Sequence, residues 1–250
     1  MLTEEDRFLF DLQGFIKLEG VLAPDEIASM LRTMEEAGIK DPENNPNKSR
    51  FGNFLAWSAA YRNLIDHPRI LPWLFELLGP KFRLDHAYGM AARAGATAEG
   101  HSLHHTSYLW NHGCYYLVEK GVMHNGLIVV SFALTDIAPN AGGFCCIPGT
   151  HKVNYPMPRK WYDLKDNPLA KQIPQKAGDV VIFTEALTHG TWPWTDAKSE
   201  RRSVLLKYCP SYMRWAQKDM NAEIEGLTPR QKQILLGPAV GDRDPIPPDA

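Results

Sequence analysis

No apolar run in the sequence approaches the ~20 residues that a membrane-spanning helix needs, since polar residues interrupt every hydrophobic stretch. An excess of charge is missing too: 27 Lys+Arg stand against 29 Asp+Glu, a formal net charge of -2. That balance supplies neither a basic face for nucleic acid nor an acidic tail. Cysteine is scarce, with Cys114, the adjacent pair Cys145 and Cys146, and Cys209. They form no CxxC pair and no secretory framework, so reduced, buried thiols in a cytosolic protein are expected. The first six residues are acidic where a secretory leader would be basic, which points to a soluble, cytoplasmic protein with no membrane or nucleic-acid partner. Internal repeats and low-complexity segments are absent.

What is present is a chain of 250 residues, long enough to bury one core, and a single domain over 1–250 is expected. Residues 8–18 alternate as a short strand. Pro24 then opens a helix whose Ile27, Met30, Leu31 and Met34 form one apolar stripe. Residues 40–50 make a polar loop with two prolines, of the kind used as lids. A second helical region spans 61–78, broken near Pro68 and Pro72 and stopped at Gly79-Pro80. Strand-like segments follow at 81–91, 102–110, 126–134, 143–147, 180–183 and 203–208. Residues 211–236 return to a helical pattern, and the proline-rich tail from Pro238 to Ala250 reads as loose. Helices first and then many short strands separated by Gly/Pro turns indicate an α+β protein: a double-sheet barrel at 81–210, flanked by helical regions at 22–79 and 211–250.

The chemistry gathers in Gly178 to Tyr208. The apolar runs 180–183 and 203–208 are expected to pair as an antiparallel hairpin, which brings Arg201 beside His189. An imidazole able to hold a transition metal then adjoins a guanidinium able to grip a carboxylate with two parallel hydrogen bonds. A second imidazole comes from Leu103-His104-His105-Thr106. On a strand His104 and Thr106 share one face and His105 takes the other, so His105 serves only if the register slips by one. Two histidines and a carboxylate make the facial triad of non-haem iron(II) oxygenases. Thr106 occupies the position two after His104.

The phrases GFIKLEGVLAPDEI, NLIDHPRILPWLFELLGPKFRLDH, FALTDIAPNAGGFCCIPGTHK and GDVVIFTEALTHG together resemble the phytanoyl-CoA dioxygenase family of Fe(II)- and 2-oxoglutarate-dependent oxygenases. The resemblance covers nearly the whole chain. It implies a double-stranded β-helix, a jelly-roll or cupin-like barrel, that uses Fe(II), 2-oxoglutarate and dioxygen on a small-molecule substrate. It implies iron on His104 and His189 and the 2-oxoglutarate carboxylate on Arg201, with Arg202 as the fallback if the turn differs by one residue. The family's carboxylate falls where this chain has Thr106. In related oxygenases with a small residue there, chloride fills the vacancy and a C–Cl bond forms in place of C–OH.

Other pocket residues are weighed against plain packing. Glu185 lies four residues before His189, a displacement of ~13 Å on a straight strand at ~3.3 Å per residue, so it reaches the metal only through a bulge. A polar substrate contact or a structural salt bridge is its other role. Asn125 opens a strand beside His124 and could line the pocket. Trp192 and Trp194 could wall its mouth or simply pack. Asp136 and His151 read as structural. Three functions follow: a hydroxylating oxygenase, a halogenase with chloride beside Thr106, or a barrel that binds a small anion or metal without redox chemistry. A zinc hydrolase is more distant, because two histidines alone hold zinc poorly and no general base is evident. Oligomeric state is not legible.

Overall fold

The computed structural model describes residues 2–39, 50–95, 102–104, 111–164, 167–241 and 243–248. The chain opens with helix α1 (Glu4–Gln13) and not with the strand expected over 8–18. Thr3 and Asp6 cap each other's backbone N–H groups, three acidic residues fill the first turn, and Gly14 in the left-handed region (φ 79°) ends the helix. Those end signals outweigh the approximate alternation of Phe8, Phe10 and Leu12. Only Phe15–Leu18 is strand (β1). Helix α2 (Pro24–Glu36) starts on its proline, as expected, and buries Ile27, Met30 and Met34. Strand β2 (Arg50–Phe51) and the short helices α3 (Ala59–Arg62) and α4 (Leu71–Leu78) follow. The polar loop expected over 40–50 falls, but for Arg50, outside the described residues, as do positions 105–110 of the expected strand 102–110.

The barrel strands are β3 (Phe82–Ala92), β4 (Tyr116–Glu119), β5 (Val122–Asn125), β6 (Ile128–Ala133), β7 (Gly143–Cys146), β8 (Lys171–Gln172), β9 (Val180–Thr184), β10 (His189–Trp192) and β11 (Arg201–Pro210). They form a major sheet in the order β1-β9-β6-β11-β3-β2, a minor sheet β10-β7-β8, and a separate β4-β5 hairpin. Every pairing is antiparallel. The expected hairpin between 180–183 and 203–208 does not form. β6 lies between β9 and β11, pairing with both, while the connecting segment crosses to the minor sheet as β10 and pairs with β7. Two apolar runs joined by a polar turn look like a hairpin in sequence; the exchange between sheets is a tertiary choice.

Alternation along the strands builds two cores. One face of the major sheet carries Ile128, Val130, Phe132, Ile182, Val204 and Leu206, packed against α2, α3 and α4 through Met30, Tyr61 and Leu74. The opposite face presents Val129, Val181, Phe183 and Leu205 to Phe144 and Cys146 of the minor sheet. This is the double-stranded β-helix with few helices.

The C-terminal expectations need correction. Among the described residues after β11, only α5 (Pro229–Leu235) is helical. The tail is held down: Ile246 is buried, its N–H donates to Pro80 O at 2.8 Å, and Arg243 donates to Gln233 O at 2.9 Å and Leu236 O at 3.1 Å. Proline frequency indicates a lack of regular structure and does not indicate a lack of packing. All four cysteines are buried and unbridged.

Candidate active site

Between the two sheets lies a cavity of ≈ 350 Å³ whose walls include His104, His189, Arg201, Glu185, Lys207 and Tyr88. His189 begins β10, and its backbone forms an isolated antiparallel bridge with His104. His104 N–H donates to His189 O at 2.9 Å, His189 N–H donates to His104 O at 3.1 Å, and the ring centroids are 4.3 Å apart. Each Nδ1 lies against a backbone carbonyl, His189 on Leu187 O at 2.7 Å and His104 on Ser102 O at 3.0 Å. A carbonyl only accepts, so both Nδ1 atoms carry the proton in the neutral rings. Nε2 is then the basic nitrogen of each, which is the tautomer a metal-ligating histidine needs. Phe183 and Phe144 pack against the His189 ring, with centroids at 4.8 and 6.1 Å.

Arg201 opens β11. With Ser203, Leu205 and Lys207 it shares the strand face that looks into the barrel, and Arg201, Leu205 and Lys207 line the cavity. Its guanidinium is buried, and Nε and Nη1 have no hydrogen-bond partner among the described residues. Burial pulls its pKa down to about 10, against smaller opposing effects of Tyr88 and Cys145. Buried cationic donors in this state are costly unless an anion completes them. The pair of basic imidazole nitrogens and the incomplete guanidinium fit a divalent metal and a carboxylate ligand respectively.

Arg202, the fallback, is excluded by alternation. It faces away, pairing with Glu200 at 2.8 Å and lying 3.6 Å from Glu35. Glu185 is closer than a straight strand allows: its Oε1 is 4.0 Å from His189 Nε2. The displacement expected from strand geometry fails because β9 stops at Thr184, and the segment turns back, with Leu187 N–H donating to Thr184 O at 3.0 Å. Glu185 also takes a salt bridge from Lys207 Nζ at 2.6 Å, with side-chain exposures of only 2% and 14%. Burial works against the Lys207 charge, but Glu185, with Tyr88, more than offsets it and the ammonium's pKa is raised.

Two other expected pocket residues lie elsewhere. Asn125 is buried with its Nδ2 on Leu77 O at 3.0 Å, lining a different depression beside Tyr115 and Tyr212. Trp192 packs with Leu103, Cys145, Ile147 and Leu164, because it alternates with Thr191, which does line the cavity. Trp194 is buried in a small cluster with Ala92, Ala133 and Ile137. His105 and Thr106 lie outside the described residues. Asp136 pairs with Lys176 at 2.9 Å and accepts from Ala177 N–H at 2.9 Å. His151 is buried against Asp11 O at 2.9 Å. Both are structural in these contacts. Among the described residues no three His, Cys, Asp or Glu side chains are grouped to hold a metal.

Lys207, Tyr88 and Trp215 were not anticipated. Period 2 from Arg201 reaches Lys207, so that residue was legible once β11 was placed. Trp215 was not, because it arrives on a segment expected to be helical. Asp85 fixes that segment, accepting from Trp215 N–H at 2.8 Å and Ala216 N–H at 2.9 Å.

A jelly roll with two Nε2-presenting histidines and a buried carboxylate-seeking arginine between its sheets is the architecture of the iron- and 2-oxoglutarate-dependent oxidoreductases. The chain belongs to the phytanoyl-CoA dioxygenase (PhyH) family, whose model matches residues 10–203. Ectoine dioxygenase of Streptomyces coelicolor is 25% identical over 153 residues, 57% of this chain and 48% of that protein. The chain thus spans about half the length of that curated relative. HygX of Streptomyces hygroscopicus, in a crystal structure with nickel, 2-oxoglutarate and hygromycin B, superimposes with a TM-score of 0.72 at 25% identity, over 90% of this chain and 95% of that one. The epimerase SnoN from nogalamycin biosynthesis shares the fold, with a TM-score of 0.62 at 18% identity over 94% of each chain. No helix among the described residues is long and apolar enough to cross a membrane.

Proposed function

We propose that the protein is an Fe(II)- and 2-oxoglutarate-dependent oxygenase that hydroxylates a small molecule. The observation that carries the reading is the buried Arg201, with Nε and Nη1 unpartnered, in the cavity that also holds His104 and His189. Iron would sit on the Nε2 atoms of the two histidines, and Arg201 would take the distal carboxylate of 2-oxoglutarate. When bound, the metal supplies activation of dioxygen, coupled to oxidative decarboxylation of 2-oxoglutarate to succinate. The chain's own part is to fix the ligand tautomers through Leu187 O and Ser102 O, to orient the keto acid, and to exclude water with Phe144 and Phe183. The metal, 2-oxoglutarate and hygromycin B held by HygX support a small-molecule substrate here. A cytoplasmic, single-domain enzyme fits the same reading.

Halogenation is the second reading, favoured by Thr106 at the position where the resemblance places a carboxylate. Anaerobic addition of Fe(II) and then 2-oxoglutarate should give the visible charge-transfer band of a chelated keto acid. Dependence of that band on chloride would move halogenation ahead of hydroxylation. No band at any iron concentration would leave a binding barrel without redox chemistry.

A further inference from the structure

We infer that Glu185, paired with Lys207, supplies beside the metal the negative charge that the resemblance assigns to a carboxylate at the position of Thr106. The inference rests on the metal-binding reading above and adds a positioning residue to it. The resemblance places the family carboxylate at Thr106, which has no charge. Glu185, by contrast, is a buried carboxylate whose Oε1 lies 4.0 Å from His189 Nε2. A metal–imidazole bond is ~2.0–2.1 Å, so an ion held on that nitrogen would lie within about 2–6 Å of the carboxylate oxygen.

Three features of the chain aim Glu185 there. The turn after Thr184 reverses the strand, Glu185 N–H is fixed on Leu127 O at 2.9 Å, and Lys207 Nζ grips Oε1 at 2.6 Å. The surrounding wall is mixed: Phe144, Phe183 and Leu205 are apolar, while Arg50, Ser131 and Thr191 are polar. A buried ion pair is no gain in stability over packed hydrophobic groups, and charged groups buried in a cleft gather at functional sites. Electrostatics provides a role. Two neutral imidazoles leave a divalent ion uncompensated, and Arg201 and Lys207 add positive charge to the same cavity. The charge of 2-oxoglutarate offsets part of this excess, and Glu185 reduces what remains.

The test is anaerobic Co(II) binding in the presence of 2-oxoglutarate, read as a dissociation constant and as the visible ligand-field spectrum, together with thermal unfolding of the metal-free proteins. Five chains are compared: wild type, His189→Ala, Glu185→Gln, Lys207→Met and the double variant of the last two. Glu185→Gln should bind Co(II) about tenfold or more weakly, the scale of an outer-sphere partner, with an altered spectrum. Lys207→Met loosens the grip on Oε1 but also removes a positive charge from the cavity, so it should lose less affinity than Glu185→Gln. Equal losses in Glu185→Gln and Lys207→Met would make the pair a structural brace and overturn the inference. The double variant Glu185→Gln/Lys207→Met replaces the pair with neutral groups of similar size and differs from Lys207→Met only in the carboxylate, so it should bind Co(II) more weakly than Lys207→Met. Binding lost in His189→Ala but unchanged in Glu185→Gln overturns this inference alone. Absence of Co(II) binding in the wild type overturns it together with the oxygenase reading.

Discussion

His104 and His189 exchange both backbone hydrogen bonds, at 2.9 and 3.1 Å, and so hold their rings 4.3 Å apart although 85 positions of chain separate them. The backbone bridge sets the spacing of the imidazoles, and the carbonyls of Ser102 and Leu187 set their tautomers. Replacing either ring by Ala leaves the bridge intact. Metal affinity should therefore collapse in His104→Ala and His189→Ala by more than the ~10–100-fold typical of an outer-sphere partner, with little change in apo unfolding temperature. Metal titration alongside thermal unfolding checks both halves.

Arg201 carries the opposite signature. Its unpartnered Nε and Nη1 cost stability in the ligand-free protein, on the order of 1–3 kcal/mol for a buried unsatisfied donor. Arg201→Met should raise apo stability by about that amount and abolish the stabilisation that 2-oxoglutarate gives the wild type. Unfolding curves with and without 2-oxoglutarate decide it. An apo protein destabilised by the substitution would show that the guanidinium has a structural partner.

His151 makes stability depend on pH. Burial, opposed by its bond to Asp11 O and modified by the nearby Lys152 and Asp11 charges, lowers its pKa from 6.5 to about 4, and the Tyr116 ring packs on it edge-on at 4.6 Å. Between those values the unfolded chain binds a proton that the native protein does not, so stability falls as pH drops from about 6.5 to about 4. The full contribution is on the order of 3 kcal/mol. His67, also lowered by burial, acts with the same sign. Denaturant midpoints of His151→Gln should lose most of this slope while following wild type above pH 7.

Gly178 shows where backbone alone restricts sequence. Its φ is 92°, and a Cβ there would lie 2.6 Å from Leu22 O, the carbonyl where the chain runs past the start of β9. Gly178→Ala should cost about 2–4 kcal/mol, from strain and clash together. A change below about 1 kcal/mol in chemical denaturation would mean that the Leu22 turn can move aside.

Ile246 tests the tail. Its side chain is buried in the helical core cluster, so Ile246→Ala should destabilise by about 2–5 kcal/mol. A near-neutral result would return the C-terminus to the loose segment that its prolines suggested.

The sequence by itself determined the barrel and the helix at Pro24, and it singled out the two histidines and Arg201 that the structure brings to one cavity. Short β-branched runs between Gly/Pro turns leave few alternatives to a double sheet, and period 2 then decides which residues share a face. That same period separates Arg201 from Arg202 once β11 is known. The tertiary structure alone decided the rest. β6 came between β9 and β11 because long-range pairing follows the whole fold and not the nearest apolar run. Glu185 reached His189 because the strand turned at Thr184, so a separation counted along the chain became a contact across a turn. Trp215 and Ile246 found their places through Asp85 and the Pro80 carbonyl, single hydrogen bonds to distant parts of the chain that leave no periodic trace in the sequence.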